Sequence, residues 1–405
     1  MLLVAAIALL KGLRMPSAWV ATHLTFNYGQ GFVRRGLVGE ILYLLHGSGG
    51  AQHYNGLALV AIAMFVLVVV ATGWLLRRTL ASSPGDLGLA LALLVFLASP
   101  ALVFFVHIIG YLDDFAVLYG VGFVLFAARV RRPPALLVAA ALAGGAVLAL
   151  VHEMLTWSFA PAILFVLLCC AARAAAGAPP TWRSWAPALG AGVALLGEAV
   201  AVGLLGTRSP ARIQALVQSV APRVDFPLRG DAFDVLHRSL AENLLHLMPY
   251  HWSQPGTIDA LVRTTLTAAP GILFLLAYGV HLLGAVVPDP RWRRLLVAAF
   301  VLAVLSPHSL NVIGWDTGRW NSISLWAALL CVACMHLVLL PAAPSDRTRA
   351  LTPWLWAAGV VALALGLCAS TELFDGYVVQ WFPFDGQWRS ALELWRGHFH
   401  FIPRY

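Results

Sequence analysis

The residues best equipped for chemistry in this chain are short polar interruptions between long apolar runs. Asp113 and Asp114 are adjacent carboxylates at one such break. Neighbouring carboxylates repel, which raises one pKa unless a cation is shared. The pair suits a general base, or the ligation of a divalent ion, Mg or Mn, beside phosphate. A helix N-cap is the alternative use, most readily for Asp114, which leaves Asp113 as the better catalytic candidate. Arg34 and Arg35 stand between glycines, and guanidinium forks match phosphate or carboxylate oxygens bidentately. Lipid headgroups or an ion pair with Glu40 would occupy the same arginines. His152 and Glu153 can supply an acid/base pair or two metal ligands, although zinc takes three or four. A polar turn between two closely joined helices accounts for them equally. Asp316 and Arg319, spaced i and i+3, can pair on one helix, and His308 precedes them in the same polar stretch.

The composition says what must hold these groups. Of 405 residues, 60% are hydrophobic and 11% charged, against about 25% charged in a soluble domain. Mean hydropathy is +0.83. Apolar runs approach the roughly 20 residues that cross about 30 Å of hydrocarbon. A cytosolic enzyme, a secreted domain and a disordered chain are excluded. The expected fold is all-α, a polytopic transmembrane helix bundle forming one domain over 1–405. Spans are expected near 56–76, 87–106, 115–128, 135–151, 155–172, 186–206, 269–287, 295–306, 322–340 and 351–371. The run at 1–10 adds the end of a first helix, giving about eleven helices. No basic residue precedes that run, while Lys11 and Arg14 follow it, which argues against a cleaved signal peptide and for an upstream start.

The net charge of +8 is carried by arginine, with Lys11 the only lysine. That usage, with abundant Ala, Leu, Gly and Val, suggests a GC-rich bacterial source. Arg77/Arg78, Arg129/Arg131/Arg132, Arg173/Arg183, Arg291/Arg293/Arg294 and Arg347/Arg349 fall in alternate short loops. The positive-inside rule makes those loops cytoplasmic. The basic balance thus reports topology, and no nucleic-acid partner is indicated. Trp182, Trp185, Trp292 and Trp354 near helix ends fit an aromatic belt.

The candidate polar groups then share the outer face. A large outer loop, 207–268, carries Arg212, Arg223 and His237 among other charges. Ile213, Leu216, Val217 and Val220 recur with helical spacing there, as do Phe233, Leu236, Leu240, Leu244 and Leu247. Both stretches are expected as amphipathic helices lying on the outer interface. Phe374, Trp381, Phe382, Trp388 and Trp395 make the tail at 372–405 aromatic-rich, fit for sugar stacking or headgroup anchoring. Glu198 lies within a span, where it would hydrogen-bond in its protonated form or reach a cavity. His281 and His336, also in apolar runs, read as structural groups. The five cysteines, Cys169, Cys170, Cys331, Cys334 and Cys368, all fall in apolar runs and read as small buried residues.

No Walker A, Rossmann, HExxH or GxSxG pattern occurs. The layout resembles the GT-C superfamily of polyprenyl-phosphate-sugar-dependent glycosyltransferases of bacterial envelope polysaccharide assembly. The acidic motif of a second outer loop maps onto Asp113 and Asp114, and the amphipathic outer helix onto 34–45. The first outer segment departs from that pattern: it has no Asp, only Glu40. The resemblance implies a site facing the periplasm or cell exterior from the bacterial inner membrane. There Arg34, Arg35 and Arg319 would hold the lipid-linked phosphate, and Asp113 or Glu40 would deprotonate a glycan or lipid acceptor. An O-antigen polymerase or ligase type of enzyme, relying on outer-loop Arg212, Arg223 or His237, is the second expectation. A flippase or other transporter of lipid-linked substrate is the third, although no internal repeat supports it.

Overall fold

The computed structural model describes residues 1–47, 50–130, 134–175, 177–314, 316–342 and 351–368. The aromatic tail at 372–405, Arg131, Arg132, Arg347 and Arg349 lie outside the described residues. Within them the chain is all-helical, with one isolated parallel bridge between Gln52 and Val224. The helices are α1 (Leu2–Gly12), α2 (Ala18–His23), α3 (Leu37–His46), α4 (Tyr54–Ser82), α5 (Leu87–Ala98), α6 (Pro100–His107), α7 (Asp113–Arg129), α8 (Pro134–Val151) and α9 (Glu153–Ala174). They continue with α10 (Trp182–Leu205), α11 (Pro210–Val220), α12 (Gly230–His237), α13 (Leu240–Glu242), α14 (Met248–Ser253), α15 (Thr257–Val286), α16 (Pro290–Leu305), α17 (Thr317–Cys334) and α18 (Pro353–Cys368).

Among the described residues, seven segments are long and apolar enough to cross a membrane: α4, α5 with α6, α9, α10, α15, α16 with the turn after it, and α17 with its π-helical extension to Leu339. Helices satisfy their own backbone groups, which is what allows such apolar runs to exist without water. Helix α15 begins at Thr257 and runs through Pro270, so the outer loop ends earlier than the 207–268 expected from hydropathy. Ser99 separates α5 from α6, where Pro100 occupies the first helical position and cannot donate its missing N–H.

Helix α17 is the centre of the bundle: 94% of its apolar window is buried, against 28% for α4 at the periphery. Serines and alanines make this possible. Ser322 Oγ donates to Ala101 O at 3.1 Å and Ser324 Oγ to Val304 O, and small side chains let neighbouring helices approach. Whatever charge begins α17 is therefore carried into the interior. Trp292, expected in an aromatic belt, is instead buried, its indole N–H donating to Ala178 O at 3.0 Å. Trp182 and Trp354 remain exposed.

The polar breaks segregate to opposite ends. At one end Arg78 and Arg129 lie over the Trp74 ring, and Arg173 donates to Val130 O at 2.7 Å. Helices α7 and α9 each carry an arginine there and an acidic residue at the far end, Asp113 and Glu153. At that far end the chain around 18–53 and the loop after α10 fold together as a cap. Thr207 N–H donates to Phe32 O at 2.8 Å, Gln52 N–H to Arg223 O at 2.7 Å and Tyr54 N–H to Asp225 Oδ1 at 2.7 Å.

The cap has its own small core of Phe26, Val33, Ile213, Leu216, Val220, Ala232, Phe233 and Leu236. The apolar faces at 213–220 and 233–236 therefore pack within the cap, whereas Leu244 stays exposed. The helical spacing at 213–220 and 233–236 was real, but those side chains bury one another and the first segment. The second stretch is also not one helix. It stops at His237 and restarts through a reciprocal box, with Ser239 N–H donating to Glu242 Oε2 and Glu242 N–H to Ser239 Oγ at 3.1 Å.

Candidate functional site

Beneath the cap, residues from five separated stretches form a buried charged cluster. Arg319, on the first turn of α17, brings Nε to 3.0 Å from both Asp113 oxygens and donates to Oδ1. Its Nη1 lies 3.6 Å from Asp316, so the expected i, i+3 pair exists but is the longer of two. Asp113, Asp114 and Arg319 are each at most 3% exposed. The N-cap of α7 is Leu112, which places both aspartates inside the first turn rather than at the cap. There the free N–H groups and the dipole favour negative charge.

The second pair comes from the loop before α3. Arg35 donates from Nε and Nη2 to the Glu153 carboxylate at 3.4 and 3.3 Å. Arg35 has φ 62°, the left-handed region, and among the described residues no other non-glycine shows a positive φ. Such a conformation costs about 1–2 kcal/mol for an L-residue and tends to mark functional sites. Arg34 bridges Glu153 and the cap. Its Nη2 donates to Val235 O, to Leu236 O at 3.3 Å and to Arg238 O at 3.0 Å, closing the carbonyl end of α12. Its Nη1 lies 3.5 Å from Glu153. A Cβ at Gly206 would overlap the Arg34 side chain, so this packing requires glycine there. Arg34 is thus committed to the cap, and the arginine pair finds its anion in Glu153 rather than in Glu40.

His23 and His152 complete the cluster. Both are buried, and the charges of Arg35 and Arg319 reach both rings. Burial first, then those positive charges, holds each imidazole well below the ordinary histidine range, leaving it neutral at pH 7. His152 Nδ1 lies 3.8 Å from Glu153. Trp19 stacks on Tyr111 at 4.7 Å between ring centroids and lies 3.7 Å from the His23 ring, while Arg319 sits 5.8 Å over Tyr111. Sequence reasoning missed His23 and Trp19. The available signal was the polar pair Thr22–His23 breaking an apolar stretch just before the first outer segment.

Other expected residues stand apart. Glu40, in the first turn of α3, accepts the Tyr28 N–H of the preceding loop at 2.7 Å. His308 is on the turn after α16, whose Ser309 accepts the Trp157 indole N–H at 3.3 Å. No described hydrogen bond or ion pair links either residue to the cluster. No group of three or more His, Cys, Asp or Glu gathers as a metal site among the described residues. Asp113 is paired with Arg319. Cys169 hydrogen-bonds Cys334, yet these thiols with Cys170 and Cys331 do not form a metal site either. His336 is satisfied as expected, between Ser83 Oγ and Tyr278 Oη, each at 2.9 Å. Glu198 faces Gly145 on α8.

Chemically the cluster offers the buried Arg319 and the half-buried Arg35, two carboxylates held against them and two neutral imidazoles. That set can bind an anion and move a proton. No family model matches the sequence, and neither the curated proteins nor the solved structures compared with it give a match.

Proposed function

We propose that the protein is a bacterial inner-membrane glycosyltransferase of the GT-C type. It moves a sugar from a polyprenyl-phosphate-linked donor to a lipid or glycan acceptor at the extracytoplasmic face. In this reading the shorter helices α1, α7, α8 and α18 also cross, giving eleven spans, and the arginine-bearing end faces the cytoplasm. The observation that carries the reading is the Asp113–Arg319 pair, buried at the end of the bundle under a folded cap. Buried charges are costly unless paired, and a helix bundle without chemistry at that depth gains nothing from keeping them.

Arg319 and Arg35 would bind the donor phosphate, and Arg34 holds the cap over them. The acceptor oxygen attacks the anomeric carbon with inversion. The bond from that carbon to the phosphate oxygen breaks, its electron pair leaves with the phosphate, and the hydroxyl proton passes to Asp113. Preorganised guanidinium groups stabilise the charge that grows on the leaving phosphate. In proteoliposomes supplied with polyprenyl-phosphate sugars, folded Asp113→Ala, in which Arg319 keeps Asp316 as its counter-charge at 3.6 Å, is expected to show no transfer. Full transfer by that variant would remove Asp113 as the base.

A polymerase or ligase type of enzyme, working through arginine and histidine, draws support from the neutral His23 and His152 beside Arg35. It predicts that His152→Ala, rather than Asp113→Ala, stops glycan transfer.

A further inference from the structure

Asp113 can act as a base only when its oxygens are available, and in the structure they face a guanidinium. The way that guanidinium is used is informative. Nε meets Asp113 at 3.0 Å and Nη1 meets Asp316 at 3.6 Å. Nη2, which lies between them and belongs to both donor edges of the fork, is buried and has no hydrogen-bond partner among the described residues. The side chain itself is 4% exposed. Each carboxylate therefore engages one donor of an edge that carries two. A phosphate group can take both donors of an edge at once, and bidentate pairing is the stronger arrangement.

We propose that Arg319 is an exchange point at which the phosphate of the lipid-linked donor replaces Asp113, so that the base is released only once the donor is seated. The identity of the phosphate rests on the transferase reading; the exchange itself rests on the geometry of the fork. Asp113 and the phosphate compete for one cation. Removing the charge of Asp113 must then strengthen phosphate binding while it stops transfer, the opposite of what loss of a phosphate ligand or of a structural brace would do.

The test is binding of a ten-carbon prenyl monophosphate to the full chain in neutral detergent. Asp113→Asn is expected to bind it roughly tenfold more tightly than the wild type, the size of one charge-assisted hydrogen bond. Arg319→Met is expected to show no saturable binding, and the double variant no gain. Unchanged or weaker binding by folded Asp113→Asn overturns the proposal. Should that variant fail to fold, Asp316→Asn relieves the longer pair and should give a smaller gain of the same sign; no gain there is equally fatal. Competition by inorganic phosphate with the same gain would place recognition in the phosphate group alone. A gain confined to the prenyl compound would add the chain to what is recognised. Equal competition by phosphatidylglycerol vesicles would assign the site to bulk headgroups and overturn the donor assignment. Tighter binding by Asp113→Asn with no sugar transfer by the wild type would refute the transferase and leave the exchange standing. Transfer by the wild type without tighter binding by the variant would refute the exchange alone.

Discussion

Arg34 and Arg35 are adjacent in sequence and indistinguishable there as phosphate ligands, yet they do different work. One closes the end of α12; the other reaches Glu153 from a left-handed backbone. Replacing Arg35 by glycine separates structure from chemistry. The variant is relieved of about 1–2 kcal/mol of backbone strain, and Glu153 keeps Arg34 at 3.5 Å as its counter-charge. Its melting temperature is expected to stay near that of the wild type while sugar transfer falls at least a hundredfold. Retained transfer would make Arg35 a structural brace. Glu153→Ala should behave differently, because it removes the counter-charge that the half-buried Arg34 and Arg35 guanidinium groups share. The loss is expected to stay below the roughly 3–5 kcal/mol of breaking a fully buried pair, read as a lowered thermal midpoint.

Helix boundaries were legible wherever the local code is strong. Apolar runs marked the spans, but hydropathy could not place the start of α15, because its polar first turns are helical without being apolar. The apolar spacing over 231–247 predicts one helix, although Ser239 and Glu242 carry the three-residue signature of a restart. Ser239→Ala should cost about 1 kcal/mol, seen as faster amide exchange confined to 239–247. His336 lies in the π-helical end of α17 and joins it to Ser83 and to Tyr278 on α15. His336→Phe removes the ring partner of both hydroxyls. It should destabilise the arginine-bearing end by about 1–3 kcal/mol without altering donor binding at the other.

The molecule as a whole places Arg78, Arg129 and Arg173 at one end and the charged cluster, with its cap, at the other. If the arginine end is cytoplasmic, Ser253→Cys on the cap should react with a membrane-impermeant thiol reagent added outside. Pro84→Cys, in the turn after α4, should react only after permeabilisation. The test belongs in a background lacking the native exposed Cys368, and the reverse pattern would invert the topology. Composition and periodicity by themselves determined that this is a helical protein with apolar spans, because burial in hydrocarbon admits little else and leaves its mark on every run of residues. They also singled out Asp113, Glu153, Arg35 and Arg319, because charge is scarce enough in such a chain to stand out. Only the tertiary structure decided the partners. Glu153 lies 118 positions from Arg35 and Arg319 lies 206 from Asp113, and no local propensity records such distances. Pairing follows from which helix ends meet, and that follows from the packing of the whole bundle around α17.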